Sequence, residues 1–435
     1  MFIRIIYNIC FFAFSLFYLP VFLLKGKHKR GLASRFGVVP EEIRKRLEGK
    51  QVFWVHGVSV GEVVQAFRLV AALKKRFPAA RFVVTTTTVA GREMALGLKS
   101  GEDSVLYFPV DFGFSVRRFL AGVHPSALVL IETEIWPNLL SELSKRKIPA
   151  FIVNGRISDK AIFKYKKARF FIAPFLNELK AICAQDDLMK RRFIELGASP
   201  GIVSVTGNMK FDWQPNFSGE GLVKAVEGRL RGPDVFLLVA GSTHKGEEEI
   251  LLEVYRSLCV KHASFRLLVA PRHLDRIGSI LRLASQKGLE LQRTSKIRGR
   301  AGHSPEPGPG PVFLLDSMGA LADFYRLADA VFVGGSLVPN GGHNLVEPAF
   351  FEKPVLFGPF MNNFSQMAEE FKKSSAGVEV KNAKDLEQRI LELVEDRNKA
   401  LVFGRNAKEL VLRHQGATER NVRVFLQTLS NSEES

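Results

Sequence analysis

The chain has 435 residues, carries 62 Lys and Arg against 44 Asp and Glu for a net charge of +18, and is 46% hydrophobic. That length is enough for two domains with full apolar cores, and the composition excludes a disordered or low-complexity chain. Three widely separated cysteines (Cys10, Cys183, Cys259) form no metal-ligand spacing and point to a reducing compartment rather than a disulfide framework. The positive charge calls for an anionic partner: nucleic acid, anionic lipid or a phosphorylated substrate. No helix-turn-helix, zinc-finger or RNP-type pattern is present, which sets nucleic acid aside.

Residues 1–24 read as a membrane anchor. Ile5 to Leu24 is mostly apolar, broken by Tyr7, Asn8, Ser15 and Pro20, and just reaches spanning length. A basic juxtamembrane segment, 25–49, follows with Lys25, Lys27, Lys29, Arg30 and Arg35, which predicts that the main body lies on the cytoplasmic side. No small-residue cleavage site precedes the basic run, so an uncleaved anchor is expected. The pattern leaves both a spanning and an interfacial placement open.

Strand-like and helix-like stretches then alternate, the signature of α/β layers with parallel sheets. Val52–His56, Arg81–Thr86, Ser104–Phe108 and Ala127–Ile131 are predicted strands, continued by Ala150–Val153, Ala181–Ala184 and Val203–Thr206. Residues 216–233 read as a linker. A second series follows with strands at Val235–Ala240, Arg266–Ala270, Val312–Leu315, Ala330–Val333 and Val355–Phe357. The Gly- and Pro-rich stretch Arg298–Pro311 is predicted to be a mobile surface loop, and Lys384–Leu429 to be helical with a break near Gln415-Gly416. The fold class is therefore α/β, two Rossmann-like domains (50–215 and 234–415) facing a cleft, preceded by the anchor and closed by a C-terminal helix and tail, 416–435. Ligands of such sheets bind at strand C-terminal edges, so polar residues there are the candidates.

The first strand runs into His56-Gly57-Val58-Ser59-Val60-Gly61-Glu62, where Glu62 is a candidate general base or, with Ser59, a capping box. The fourth ends in Glu132-Thr133-Glu134-Ile135-Trp136-Pro137-Asn138, two carboxylates suited to orienting a substrate or a cation. Lys210 lies just past the last strand of the first domain. In the second domain Ser242 and Thr243 close the first strand at a helix start resembling an anion site. Pro271 and Arg272 close the second, with the guanidinium placed for phosphate, and Met318, Gly319 and Ala320 follow the third. Gly334 to Pro359 (GGSLVPNGGHNLVEPAFFEKPVLFGP) reads as a nucleotide pocket, with phosphate at the Gly-rich loop (Gly342, His343) and a ribose at Glu347, on one helical face with Asn344. The plainer alternative is a capped crossover. From Ser144 to Arg192 there are thirteen Lys/Arg against four Asp/Glu, a solvated face or a contact for anionic lipid. No P-loop, H-E-x-x-H, G-x-G-x-x-G or Asp-x-Asp occurs, so no metal or cofactor is indicated.

Six segments in order (SVGE at Ser59–Glu62, ETEIWPN at Glu132–Asn138, GNMKFD at Gly207–Asp212, APRH at Ala270–His273, the Asp316–Gly319 turn and GGHNLVEP at Gly341–Pro348) resemble the Kdo (3-deoxy-D-manno-octulosonic acid) transferases of lipopolysaccharide synthesis. The resemblance spans essentially the whole chain. It implies a GT-B fold and an inverting, metal-independent transfer of Kdo from CMP-Kdo to the lipid A precursor lipid IVA, at the bacterial inner membrane on its cytoplasmic side. It further implies Glu62 as base; Glu132, Glu134 and Lys210 as transition-state stabilisers; and Pro271, Arg272, Met318, Gly319, Ala320, Asn344, Leu345, Val346 and Glu347 as the CMP site. Ser242, Thr243, Gly342 and His343 would be further donor contacts, with anionic inner-membrane lipids as partners, no nucleic acid and no cofactor. Ala320 departs from the family's usual Glu. The alternatives are another inner-membrane GT-B enzyme with a lipid acceptor, or a non-catalytic binder of nucleotide or anionic lipid.

Overall fold

A computed structural model of the chain describes residues 2–24, 31–215, 217–297 and 310–433. The run at 25–30 and most of the loop at 298–311 lie outside the described residues. The chain forms two compact units, Met1–Asp212 with Gly416–Ser435, and Trp213–Gln415.

In the first unit seven strands form one sheet: β1 (Val52–His56), β2 (Arg81–Thr86), β3 (Ser104–Tyr107), β4 (Ala127–Ile131), β5 (Ala150–Gly155), β6 (Ala181–Ala184) and β7 (Val203–Val205). Their order is β3-β2-β1-β4-β5-β6-β7, parallel throughout. Strands β1, β4, β5 and β6 are buried at every position, as unbroken apolar runs are when helices cover both faces of a parallel sheet. The two-residue period sends Trp54 to one core with Phe119, Leu128 and Ile152, and Phe53 to the other with Phe82, Val129 and Phe151. The C-terminal helix Ala417–Glu433 closes the second core by placing Phe425 against Phe53 and Phe151.

In the second unit β8 (Phe236–Thr243), β9 (Phe265–Pro271), β10 (Leu291–Arg293), β11 (Val312–Leu314), β12 (Ala330–Val333), β13 (Val355–Phe357) and β14 (Gly377–Glu379) assemble in the order β10-β11-β9-β8-β12-β13-β14, again parallel. Strand order reverses between β1 and β4 in one sheet and between β8 and β12 in the other. Such a switch point opens a crevice at the strand carboxyl ends.

Three segments differ from the sequence expectation. The stretch at 216–233 holds a helix, Glu220–Leu230, which buries Val223, Val226 and Leu230, and the second unit already begins at Trp213. The helical tail is broken twice, because Asp396 accepts the Lys399 N–H and starts a new helix. After Gln415 the chain returns to the first unit.

The third difference is the N-terminal helix Phe2–Leu24. No helix among the described residues is long and apolar enough to cross a membrane. The polar residues of its first turns instead bind the first unit. Arg4 donates to Asn138 at 3.0 Å and pairs with the buried carboxylate of Glu142 at 2.7 Å, Asn8 accepts from the Asn138 amide at 2.7 Å, and Phe11 packs on Phe112. Its other face leaves Ile5, Ile6, Ile9, Phe12 and Leu16 exposed.

Candidate active site

At the switch point of the first sheet, β1 ends at a loop whose Ser59 starts the helix Val60–Arg76. The Ser59 hydroxyl accepts the Glu62 N–H and donates to the Glu62 carboxylate at 2.7 Å, while the Val58 N–H donates to its other oxygen at 2.8 Å. The capping box and the candidate base are thus the same residue. These bonds favour the carboxylate form, but burial, then the charge of Glu132, pushes the Glu62 pKa above its ordinary value.

Glu132 follows β4 in a left-handed backbone conformation (φ 65°), which costs a non-glycine residue about 1–2 kcal/mol and is held here by its N–H bond to Val153. Its carboxylate lies 3.5 Å from Lys210 Nζ. Lys210 is carried by a tight turn, Met209–Asp212, whose Met209 and Phe211 side chains are buried and whose Met209 N–H is fixed by Asn154 at 2.9 Å. Glu134 accepts from the Trp136 indole at 2.7 Å; burial, then Glu62, raises its pKa to about 8, so it holds a proton at neutral pH. His56, fully buried and stacked on Phe108, is pushed down to about 3 by burial and stays neutral, with Nε2 4.0 Å from Glu134. Glu62, Glu132 and Glu134 line one cavity of about 230 Å³ together with Arg156, Ser158 and Tyr165. The first unit therefore offers a base of raised basicity, a lysine-paired carboxylate and a protonated carboxyl in one crevice. Arg156, Ser158 and Tyr165 had no sequence signal, since β5 and the helix Asp159–Lys167 bring them in from elsewhere in the chain.

At the switch point of the second sheet the Gly-rich loop after β12 is folded on itself. The N–H groups of Gly335, Ser336 and Leu337 all donate to the buried Glu247 carboxylate, at 2.7–2.9 Å, as does the His244 N–H. Those three N–H groups, at the first Gly-Gly pair, are therefore not open to a phosphate. Gly334 is required because a Cβ there would lie 2.5 Å from the Ser242 carbonyl oxygen. Gly342, likewise, packs its backbone on Met361. The helix Glu247–Lys261 does not offer an empty anion site either. Its first turn is Glu247, Glu248 and Glu249, and Glu248 takes the Thr243 hydroxyl and both Arg276 terminal nitrogens.

The groups able to meet an anion at this edge are Arg272, exposed just past Pro271, and three imidazoles. His244 and His343 stack with centroids 5.2 Å apart and Nε2 atoms at 2.9 Å; His273 meets His244 edge-on at 5.6 Å. Asn344 lies just ahead of a helix that begins only at Val346 (Val346–Phe350), and it both accepts from the Val346 N–H and donates to Glu347 at 3.3 Å. Leu345 and Val346 are fully buried, so only their main chain can reach a ligand. Met318 is exposed, Ser242 is half-buried, and Ala320 is buried beneath Gly219, whose Cβ, were there one, would lie 2.5 Å from that of Ala320. That contact accounts for the glycine at 219. Among the described residues no group of three His, Cys, Asp or Glu is arranged to hold a metal ion.

Two parallel-sheet α/β domains, each with ionisable side chains at its switch point, place the chain in the GT-B class of fold. Among solved structures, the UDP-GlcNAc 2-epimerase of Neisseria meningitidis superposes with a TM-score of 0.57, covering 87% of this chain and 100% of that one at 13% identity, a likeness of fold alone. Residues 30–213 match the 3-Deoxy-D-manno-octulosonic-acid transferase (kdotransferase) family. The chain is 32% identical to the 3-deoxy-D-manno-octulosonic acid transferase of Haemophilus influenzae, over 91% of this chain and 90% of that protein. It is 33% identical to a bifunctional glycosyltransferase/methyltransferase of Fusobacterium nucleatum, over 81% of this chain and 54% of that longer protein. The chain belongs to the Kdo transferase family and is a glycosyltransferase.

Proposed function

We propose that the protein transfers Kdo from CMP-Kdo to the lipid A precursor lipid IVA, with inversion and without a metal, and that Glu62 is the base. The observation that carries this reading is Glu62 itself, held by Ser59 and Val58 at a switch point and made more basic by burial and by Glu132. As the acceptor hydroxyl attacks the anomeric carbon of Kdo, Glu62 takes its proton and the CMP phosphate leaves with the bonding electrons. One displacement by the acceptor oxygen inverts the anomeric centre. Lys210, held by Glu132, and the protonated Glu134 supply positive charge and a hydrogen-bond donor where negative charge develops. In the second domain Arg272 and the imidazoles meet the donor's anionic groups, and Glu347, oriented by Asn344, accepts from ribose hydroxyls.

The N-terminal helix supports a place at a membrane surface. We place the protein on the cytoplasmic face of the inner membrane, with this helix lying in the interface rather than spanning it. Its polar side is committed to Asn138 and Glu142, and its free side is apolar. Exposed Phe163 and Phe170, among the lysines of 144–192, and exposed Phe114 in the same unit suit an anionic lipid surface.

Incubation of the purified protein with CMP-Kdo and lipid IVA, followed by mass spectrometry, should show acceptor gaining Kdo. Absence of product under conditions where CMP binds would return the chain to a binding role. Competition by CMP but not by UDP or GDP separates the proposed donor from other nucleotide sugars.

A further inference from the structure

Three strand ends of the second sheet each contribute one imidazole: His244 after β8, His273 after β9 and His343 in the loop after β12. The backbone N–H groups that would ordinarily receive an anion here are bound to Glu247, and the neighbouring helix start is filled by glutamates. Resting on the reading that this domain binds the CMP donor, we propose that the His244–His343 pair, with His273 beside it, is a proton-linked anion seat, into which an anionic group of the donor docks together with one proton.

The geometry limits how protons are held. With the two Nε2 atoms 2.9 Å apart, one ring donates and the other accepts, and a metal ion does not fit between them. The accepting ring therefore carries its own proton on Nδ1. The donating ring can take a second proton on Nδ1 while keeping the shared bond. The pair then becomes imidazolium–imidazole, with an N–H on each Nδ1 for the oxygens of a phosphate or carboxylate. Gly335 makes room for this stack. It adopts φ 68°, and a Cβ on it would lie 3.1–3.3 Å from both rings.

The surroundings keep the empty pair neutral. Burial, then Arg272 and the other imidazoles, holds His343 down to about 4, and burial, then His273, lowers His244. The charged groups facing the pair are Arg272, Arg276, His273, Glu247 and Glu248. Arg272 is the largest of these influences on His343, while His273 is the largest on His244, where Glu248, paired with Arg276, opposes it. An arriving anion cancels that repulsion and adds attraction, which favours the charged imidazole.

Calorimetric titration of the full chain in two buffers of different ionisation enthalpy, near pH 8, counts the protons. The expected result is uptake of a fraction of a proton per donor bound, growing as the pH is lowered, with affinity falling as pH rises. His343→Gln and His244→Gln should each abolish the uptake while their thermal melting stays near wild type. CMP alone and CMP-Kdo distinguish the docking group: uptake with both assigns the phosphate, uptake with CMP-Kdo only assigns the sugar carboxylate. At this pH the CMP phosphate is already a dianion, so a proton taken by the ligand would persist in both variants. Binding with no uptake, or uptake unchanged in both variants, overturns the inference and leaves the donor assignment standing. No binding of CMP or CMP-Kdo by the wild type overturns both.

Discussion

Glu62 and Glu134 line one crevice and His56 is buried behind it, and their environments move their pKa values in different directions. Burial lifts both carboxyls and lowers the imidazole, so at neutral pH a protonated Glu134 lies near a neutral His56. This has a consequence for stability. Glu134 has a folded pKa of about 8 against an ordinary 4.5, so the folded state binds more protons here than the unfolded state between those values. Its contribution is full below 4.5 and is lost as pH rises through 8. His56 acts oppositely, between about 3 and 6.5. Above 6.5 only the carboxyl effect remains, at most ~1.4 kcal/mol per pH unit. Urea midpoints of the wild type should therefore fall from pH 6.5 to 8.5, and those of Glu134→Gln should fall less. Equal falls would show that Glu134 is ionised throughout.

At the scale of elements, motif residues do structural work that their spacing does not announce. Asp212 ends the turn that carries Lys210 and accepts from the N–H groups of Gly416 and Thr418 and the Thr418 hydroxyl, at 2.5–2.6 Å, so it starts the C-terminal helix. Asp212→Ala should cost about 1–2 kcal/mol. It should also lower transfer by loosening Lys210, and thermal melting with a rate assay checks both. An unchanged melt would remove the cap from the account. Asn138, the last residue of the ETEIWPN segment, is fully buried and binds the N-terminal helix rather than a ligand. The central strands were legible because their apolar runs are unbroken: β1, β2, β4, β6, β12 and β13 fall where the pattern puts them. β10 and β14 were not, being three-residue strands at sheet edges. Glu132 and Glu134 could be placed because they follow a parallel strand closely, and Glu62 because the Ser59 cap marks where its helix starts. The bonding of Glu247 to the Gly-rich loop could not, because residues 88 to 90 positions apart leave no local pattern.

At the scale of the molecule, the charge of +18 and the apolar face of the N-terminal helix make the proposed membrane contact testable through salt and lipid charge. The protein should float with vesicles containing anionic lipid, float less with them at high salt, bind vesicles lacking anionic lipid more weakly, and lose flotation when Ile9 and Phe12 are changed to Ser. Flotation unaffected by those changes would remove the helix from the interface. The central claim is that the first domain performs the chemistry through Glu62 while the second holds the donor. Glu62→Gln keeps the shape of the side chain but removes the base. Single-turnover Kdo transfer should fall by ~10²–10⁴ in that variant, with CMP affinity at the wild-type value. Transfer at the wild-type rate would contradict the account.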